Sequence, residues 1–475
     1  MPDLAPAFAE MFLAVGICVI LITDLFLPQP RRDITYVLAL LCLVGTAWAS
    51  SAIELDGSPM VIFSGHFIAD PLSQFLKIFV IAVVGVAFVY SREYLRERDL
   101  YRGEYYVLGL FALLGIMVMI SAFSLLTMYL GLEMLSLALY AMVAFDRESP
   151  IAAEAAMKYF VLGAIASGIL LYGMSIIYGV TGSLQLDQLA IKLMASDSGQ
   201  WSVRLGLAFI LVGVAFKFGA VPFHMWLPDV YQGALTSVTL FIGTAPKIAA
   251  FAMAIRLLVE GFGPEAATWQ SMLMVMAVLS LAVGNILAIA QSNIKRMLGY
   301  STIAHVGFIL LGLVAGDQAG REAALFYTLI YVITAAGAFG MVILMSRAGF
   351  EADQLDDYKG LNARSPWFAA IMLLLMLSLI GVPPLAGFFA KWSILAALIG
   401  ADKIGLAALG VLFSVIGAFY YLRVVRLMYF DPGLDRIAPE AGLDLRILLS
   451  LNGLVLLALG LFPDWLLRIC IAVMA

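Results

Sequence analysis

The sequence predicts an all-α polytopic membrane protein with fourteen transmembrane helices, and three observations lead there. First, the 475 residues are 63% hydrophobic and only 12% charged, against about 25% charged in an ordinary soluble domain, and the mean hydropathy is +1.03. Second, apolar runs of roughly 20 residues, the length that crosses a bilayer, recur along the whole chain. Third, two of these runs are interrupted by proline in the same manner, which predicts two inverted five-helix repeats (helices 4–8 and 9–13) with broken helices 7 and 12.

The first three helices fall near 7–27, 34–52 and 71–90. No basic residue precedes the first apolar core, so it reads as a retained span and not a cleaved signal peptide. From Tyr105 to Phe145 there is no strong breaker. A single helix of that length would reach roughly 60 Å, twice the hydrocarbon thickness, so the run divides at Ser121–Ser124 into helices near 105–121 and 124–145. The others fall near 158–180, 203–221, 235–257, 269–290, 298–315, 323–346, 366–399, 405–429 and 446–470.

Alternating connections then sort the cations. Arg92, Arg96, Arg98, Arg102, Lys295, Arg296, Arg347, Arg423 and Arg426 share one face, whereas the other holds little beyond Lys192, Arg204, Arg256, Arg321, Lys403 and Arg468. The positive-inside rule places the first group in the cytoplasm and both termini outside.

The breaks are Gly219-Ala-Val-Pro222-Phe-His224-Met-Trp226-Leu-Pro228 and Gly381-Val-Pro383-Pro384-Leu-Ala-Gly387. Proline removes a backbone donor and clashes with the preceding turn, so each break frees backbone groups that lipid cannot satisfy. Lying five spans apart, the broken segments run in opposite directions, the pattern of inverted repeats. The chain accordingly reads as one membrane domain divided into helices 1–3 (1–104), a first repeat (105–260), a second repeat (261–430) and helix 14 (431–475).

Glu133, Lys217, Lys247 and Lys391 each stand inside a lipid-length run. A charge at the bilayer centre costs roughly 2.5–3.5 kcal/mol even on the insertion scale, so each must be sheltered, paired or titrated. Burial disfavours the charged form of a lysine, which makes a buried lysine a candidate proton carrier. A mobile carboxylate such as Glu133 would switch that lysine between holding and releasing its proton. His305, mid-span, and His224, in the first break, are candidate relays because imidazole titrates near neutrality. The alternative for Glu133 and the lysines is pairing that holds helices together, for His305 a satisfied packing residue, and for His224 a cap on freed carbonyls. Glu154 and Lys158 read as a solvated (i, i+4) pair, Lys295 and Arg296 as a topology anchor, and Glu10, Asp24 and Lys77 as span-end residues able to snorkel. The tyrosines and tryptophans fit interfacial belts at least as well as any cofactor box.

Other chemistries are excluded by pattern. Cys18, Cys42 and Cys470 are far apart, as are His66, His224 and His305, so no haem, zinc or iron–sulfur spacing is present. There is no GxGxxG, no P-loop and no basic run suited to nucleic acid.

Two stretches, Ser124-Leu-Leu-Thr-Met-Tyr-Leu-Gly-Leu-Glu133-Met-Leu-Ser-Leu-Ala-Leu-Tyr140 and Phe216-Lys217-Phe-Gly-Ala-Val-Pro222-Phe-His224-Met-Trp226-Leu-Pro228-Asp229, resemble the antiporter-like proton-pumping subunits of respiratory complex I, a family shared with multisubunit cation/proton antiporters. Ala245-Pro-Lys247, Asn293 to His305 and Gly381 to Trp392 extend the resemblance over nearly the whole chain. It implies that Glu133 and Lys217 form a modulating pair, that Lys247 and His305 relay, and that Lys391 terminates the line. It further implies a bacterial inner membrane, with NADH, FMN, iron–sulfur clusters and quinone bound by partner subunits, and other antiporter-like subunits among the partners. Moving one charge against about 150 mV costs roughly 3.5 kcal/mol, which a partner must supply. A sodium/proton antiporter subunit and a passive membrane scaffold remain the alternatives.

Overall fold

The computed structural model describes residues 4–55, 59–195, 201–433 and 442–475. Its helices are α1 (Phe8–Leu25), α2 (Asp33–Ser51), α3 (Pro71–Arg96), α4 (Gly103–Ile120), α5 (Leu125–Val143), α6 (Pro150–Thr181), α7 (Leu186–Ala195), α8 (Trp201–Phe218), α9 (Trp226–Gly233) and α10 (Thr236–Ala254). There follow α11 (Ala266–Ile289), α12 (Ile294–Ala315), α13 (Gln318–Met345), α14 (Leu361–Arg364), α15 (Pro366–Ile380), α16 (Ala386–Gly400), α17 (Ile404–Tyr429), α18 (Leu443–Leu461) and α19 (Pro463–Met474). Among the described residues, thirteen helical segments are long and apolar enough to cross a membrane. They correspond to the predicted spans except the twelfth, which is divided into the shorter apolar helices α15 and α16 on either side of its proline break.

Four local differences from the sequence expectation have physical causes. α6 begins at Pro150, eight residues before the predicted start, because Ser149 caps it by accepting from the Ala152 amide at 3.2 Å and proline is tolerated at the first helical position. The predicted fourteenth span is two helices, since Pro463 ends α18 and opens α19. The loop after α2 contains a small antiparallel hairpin, β1 (Met60–Ile62) and β2 (Phe67–Ala69), pairing Met60 with Ala69 and Ile62 with Phe67. α7 was not expected; Leu186, Leu189 and Leu193 recur at helical spacing and bury one face.

The chain forms two compact units. Unit 1 comprises Met1–Phe88, Tyr101–Phe218 and Ala245–Met272. In it α4 and α5 approach so closely that a Cβ on Gly115 would meet the Leu135 amide nitrogen at 2.5 Å and the Gly131 carbonyl at 2.8 Å. Small residues permit such backbone contact, which replaces the hydrophobic drive that lipid does not provide. The hairpin closes over the α4–α5 connection through a Phe67–Ala122 bridge, and Ser124 in turn bridges Gln185.

Unit 2 comprises Val89–Leu100, Gly219–Thr244 and Leu273–Ala475. Its core is α12, buried at every position except Arg296, with α13 beside it. A helix apolar all round belongs in the interior, so the polar groups that α12 carries require partners there.

Candidate functional site

In unit 1 the site is built on α5, α8 and the latter part of α10. Ser124 caps α5, accepting from the Thr127 amide at 3.2 Å, and so fixes where Glu133 and Ser136 fall, three residues apart and on one face. Lys217 is the penultimate residue of α8 and is buried. Its ammonium donates to Ser136 Oγ at 2.5 Å, and the Ser136 hydroxyl in turn donates to the Leu132 carbonyl. Glu133 is not joined to Lys217 by an ion pair among the described residues, although its charge acts on that lysine. One of its carboxylate oxygens, Oε1, is buried without a hydrogen-bond partner. Lys247, 1% exposed and directly after Pro246, donates to the Phe218 carbonyl at 2.8 Å. Phe218 ends α8 because Gly219 turns into the left-handed region at φ +77. Both lysines thus sit at the C-terminus of α8, where orphan carbonyls and the negative end of the helix dipole favour a cation.

In unit 2 the same device recurs at the second break. α15 ends at Ile380, where Gly381 adopts φ +87. Lys391, on the first turns of α16, donates to the Ile380 carbonyl at 2.8 Å and to Ser414 Oγ at 2.8 Å, and its ammonium lies 5.2 Å from the Phe308 ring centroid. Each break therefore leaves a terminal carbonyl that a lysine satisfies: Phe218 by Lys247, Ile380 by Lys391.

His305 is buried on α12 with both ring nitrogens engaged: Nδ1 lies 2.7 Å from the Tyr327 hydroxyl and Nε2 lies 3.0 Å from that of Tyr421, which also bonds Ser301. His305 and Lys391 together line two cavities of about 10 Å³ each. One is completed by Tyr327, Tyr331 and Ser378, the other by Asn285, Ser414 and Tyr420. Each has space for about one water, and its polar lining supplies the partners a water needs.

His224 lies half-buried in the first break, within unit 2, and lines neither cavity. Its Nδ1 is buried with no hydrogen-bond partner, and its own carbonyl accepts from the Leu227 amide at 2.9 Å. Thus Lys217 and Lys247 come together with Glu133 near them, His305 and Lys391 come together, and His224 stands apart from the His305–Lys391 group.

Sequence reasoning missed the neutral oxygens. Tyr327, Tyr331, Tyr420 and Tyr421 are buried, not interfacial, and Tyr331 and Tyr420 donate to Thr302 and Asn285. Ser136 carried one signal, its place three residues after Glu133, which does not by itself point to Lys217; Ser414 offered none. Three cations are also buried: Lys77, Arg256 and Lys295. Lys77 and Glu10 do not snorkel but form a buried 2.5 Å ion pair. Arg256 is no loop cation: it is 1% exposed and bonds Asp70 at 2.8 Å and Glu260 at 2.5 Å. Lys295 is 3% exposed, while Arg296 pairs with Asp229 at 2.6 Å. The Glu154–Lys158 pair is exposed at 2.8 Å, as its spacing predicts.

The geometry has clear relatives. Residues 122–417 match the family described as NADH:quinone oxidoreductase/Mrp antiporter, TM. The chain is 58% identical over 469 residues to NADH-quinone oxidoreductase subunit N of Thioalkalivibrio sulfidiphilus, covering 98% of each, and 54% identical to the subunit N of Thiobacillus denitrificans, covering 98% of this chain and 96% of that one. Among solved structures it resembles a chain of respiratory complex I from Thermus thermophilus with bound aureothin, at 33% identity and TM-score 0.83 over 97% of this chain and 98% of that one. A chain of the Mrp complex from Dietzia sp. DQ12-45-1b shares the fold, at 23% identity and TM-score 0.88 over 100% of this chain and 97% of that one. The chain belongs to the NADH:quinone oxidoreductase/Mrp antiporter transmembrane family.

Proposed function

We infer that this chain is the N-type subunit of a bacterial NADH:quinone oxidoreductase and moves protons across the inner membrane through its buried lysines. One observation carries the proton part. Lys217 and Lys391 are held by a serine hydroxyl, or by a serine hydroxyl and a backbone carbonyl, with no carboxylate within ion-pair distance among the described residues. Residues that merely fasten helices look different here: Lys77 is closed on Glu10 and Arg256 on two carboxylates. When the ammonium in a neutral cradle becomes an amine no opposite charge is left behind, whereas breaking a buried pair leaves a charge stranded. Lysines in neutral cradles can therefore release and regain protons.

In unit 1, approach of Glu133 toward Lys217 stabilises the ammonium, and retreat favours release of its proton, with Lys247 on the same helix end as the neighbouring acceptor. In unit 2, His305 and Lys391 exchange protons through single waters in the two cavities, and Tyr327 and Tyr421 set which imidazole nitrogen carries hydrogen. The repeated terminal-carbonyl cradle supports the assignment of two inverted repeats. Both termini face the periplasm, other antiporter-like subunits are among the neighbours, and NADH, FMN, iron–sulfur clusters and quinone belong to partner subunits.

The expected result is that the tagged chain, purified in mild detergent from its native membrane, brings down flavin and iron–sulfur subunits with NADH:quinone activity. Its deletion abolishes NADH-driven quinone reduction. Recovery without them, with deletion affecting only sodium tolerance, would assign the chain to a cation antiporter.

A further inference from the structure

Four side chains of unit 2 converge on Glu351, in the loop after α13. Tyr94 donates its hydroxyl to the carboxylate at 2.9 Å, Arg98 donates Nη2 at 2.7 Å, and Thr236 donates its hydroxyl. The fourth, Lys295, stops short: its ammonium is 3.9 Å from Glu351 Oε1 and donates to the Ala234 carbonyl at 2.9 Å. An acid and a base therefore face one another at the outer limit of an ion pair, in contrast to Arg98, which lies 2.7 Å from the same carboxylate. Their exposure is also unequal. The Lys295 side chain is 4% exposed and that of Glu351 is 28% exposed, so the acid is reachable from water and the base is sealed behind it.

A polar thread leads inward from Lys295. Thr302 follows on the same face of α12, two turns or about 10 Å along the axis. The Tyr331 hydroxyl donates to Thr302 at 2.8 Å, and Tyr331 lines the cavity that His305 and Lys391 share.

We propose that Glu351 and Lys295 form a proton-loading site for unit 2, taking protons from the aqueous face that the positive-inside rule assigns to the cytoplasm and passing them toward the His305–Lys391 cavities. This rests on the reading of the chain as a proton-translocating subunit. The step balances as follows. The Lys295 ammonium gives its proton to an inner water, leaving a neutral amine and a hydronium ion. The Glu351 carboxylate takes a proton from outer hydronium, becoming a carboxylic acid and releasing water. It then hands that proton to the amine, restoring carboxylate and ammonium. Electrostatics supports the order of events. Burial alone would push the Glu351 carboxyl up, but the charges of Lys295 and Arg98 and the bonds from Thr236 and Tyr94 outweigh it and hold it below the usual carboxylate range. Once Lys295 is neutral, part of that restraint is gone and Glu351 takes up a proton more readily. Asp353 and Arg98 are the other charged groups acting on Lys295.

The test uses the assembled complex in sealed vesicles, with NADH-driven proton transport and quinone reduction as readouts. Lys295→Arg keeps a cation and a donor for the Ala234 carbonyl, but a guanidinium does not release its proton. Lys295→Arg and Lys295→Gln are each expected to lower coupled turnover and transport several-fold. Glu351→Gln, which can still accept from Tyr94 and Thr236, is expected to lose most turnover when the cytoplasmic-side pH is high and protons are scarce. Full transport in assembled Lys295→Arg would overturn the proposal, because a fixed cation would then suffice. Should that variant not assemble, Glu351→Gln decides, and an unchanged pH profile overturns it. Lys217→Ala, measured alongside, separates the two readings: full transport there as well condemns the relay, whereas loss there with full transport in Lys295→Arg condemns only the loading site.

Discussion

Replacing Lys217 with alanine, in a complex that still assembles, is expected to lower NADH-driven proton pumping and coupled quinone reduction several-fold. The substitution removes the ammonium that donates to Ser136 at 2.5 Å and that feels the charge of Glu133. It also leaves Glu133, whose Oε1 already lacks a hydrogen-bond partner, without the lysine on which its charge acts. Glu133→Ala is expected to produce a similar loss from the other side of the pair. Groups that act as one device are strongly non-additive, so the double variant should be little worse than either single one. Proton transport and NADH oxidation, measured on the same vesicles with assembly verified by subunit composition, check this. Full pumping in both single variants would return the lysine to a packing role.

Arg256→Leu should act on stability, not transport. Arg256 lies in the π-helical turn Ile255–Gly261 that continues α10, and it donates Nε to the Ile120 carbonyl at 3.2 Å besides its bonds to Asp70 and Glu260. Removing one partner of a buried ion cluster costs about 3–5 kcal/mol because the remaining charges are left uncompensated; here two carboxylates would also repel one another. The expected result is a marked fall in the amount of assembled complex and in the Tm of what remains.

Asp70 adds a pH signature to that site. Its burial opposes ionisation, but the Arg256 charge and the hydrogen bonds from Arg256 and Ser73 prevail and hold the carboxyl below its usual range. A folded-state pKa below the unfolded one means that this contribution is complete above the ordinary carboxylate range and is lost as pH falls through the folded value. Arg256→Leu should flatten that acid dependence as well as lower the plateau. A variant that assembles and melts like the parent would show that the cluster contributes nothing.

The spans were legible because hydropathy is a one-dimensional signal, and the breaks because proline cannot hide inside a run. Lys217, Lys247 and Lys391 were legible for the same reason: a charge in a lipid-length run stands out. Their cradles were not. Ser136 meets Lys217 across 81 residues of sequence and Tyr421 meets His305 across 116, and neither serine nor tyrosine is unusual in a membrane helix. The burial of Lys295 was not legible, because position near a span end does not reveal whether a loop covers it; here the segment bearing Glu351 does. Pro463 had the same form as the two recognised breaks but lay near the end of the last apolar run, where a single helix already accounted for the length.

The proposed function requires that the lysines in neutral cradles, Lys217 and Lys391, carry protons in both units. The decisive quantity is the number of protons translocated per NADH oxidised in sealed vesicles bearing Lys217→Gln and Lys391→Gln together, one substitution in each unit. Glutamine can still donate to Ser136 Oγ and to the Ile380 carbonyl but has no proton to exchange at working pH. The expected result is a lower proton-to-NADH ratio, or a several-fold slower coupled turnover, in a complex of normal subunit composition. An unchanged ratio at an unchanged rate would contradict it.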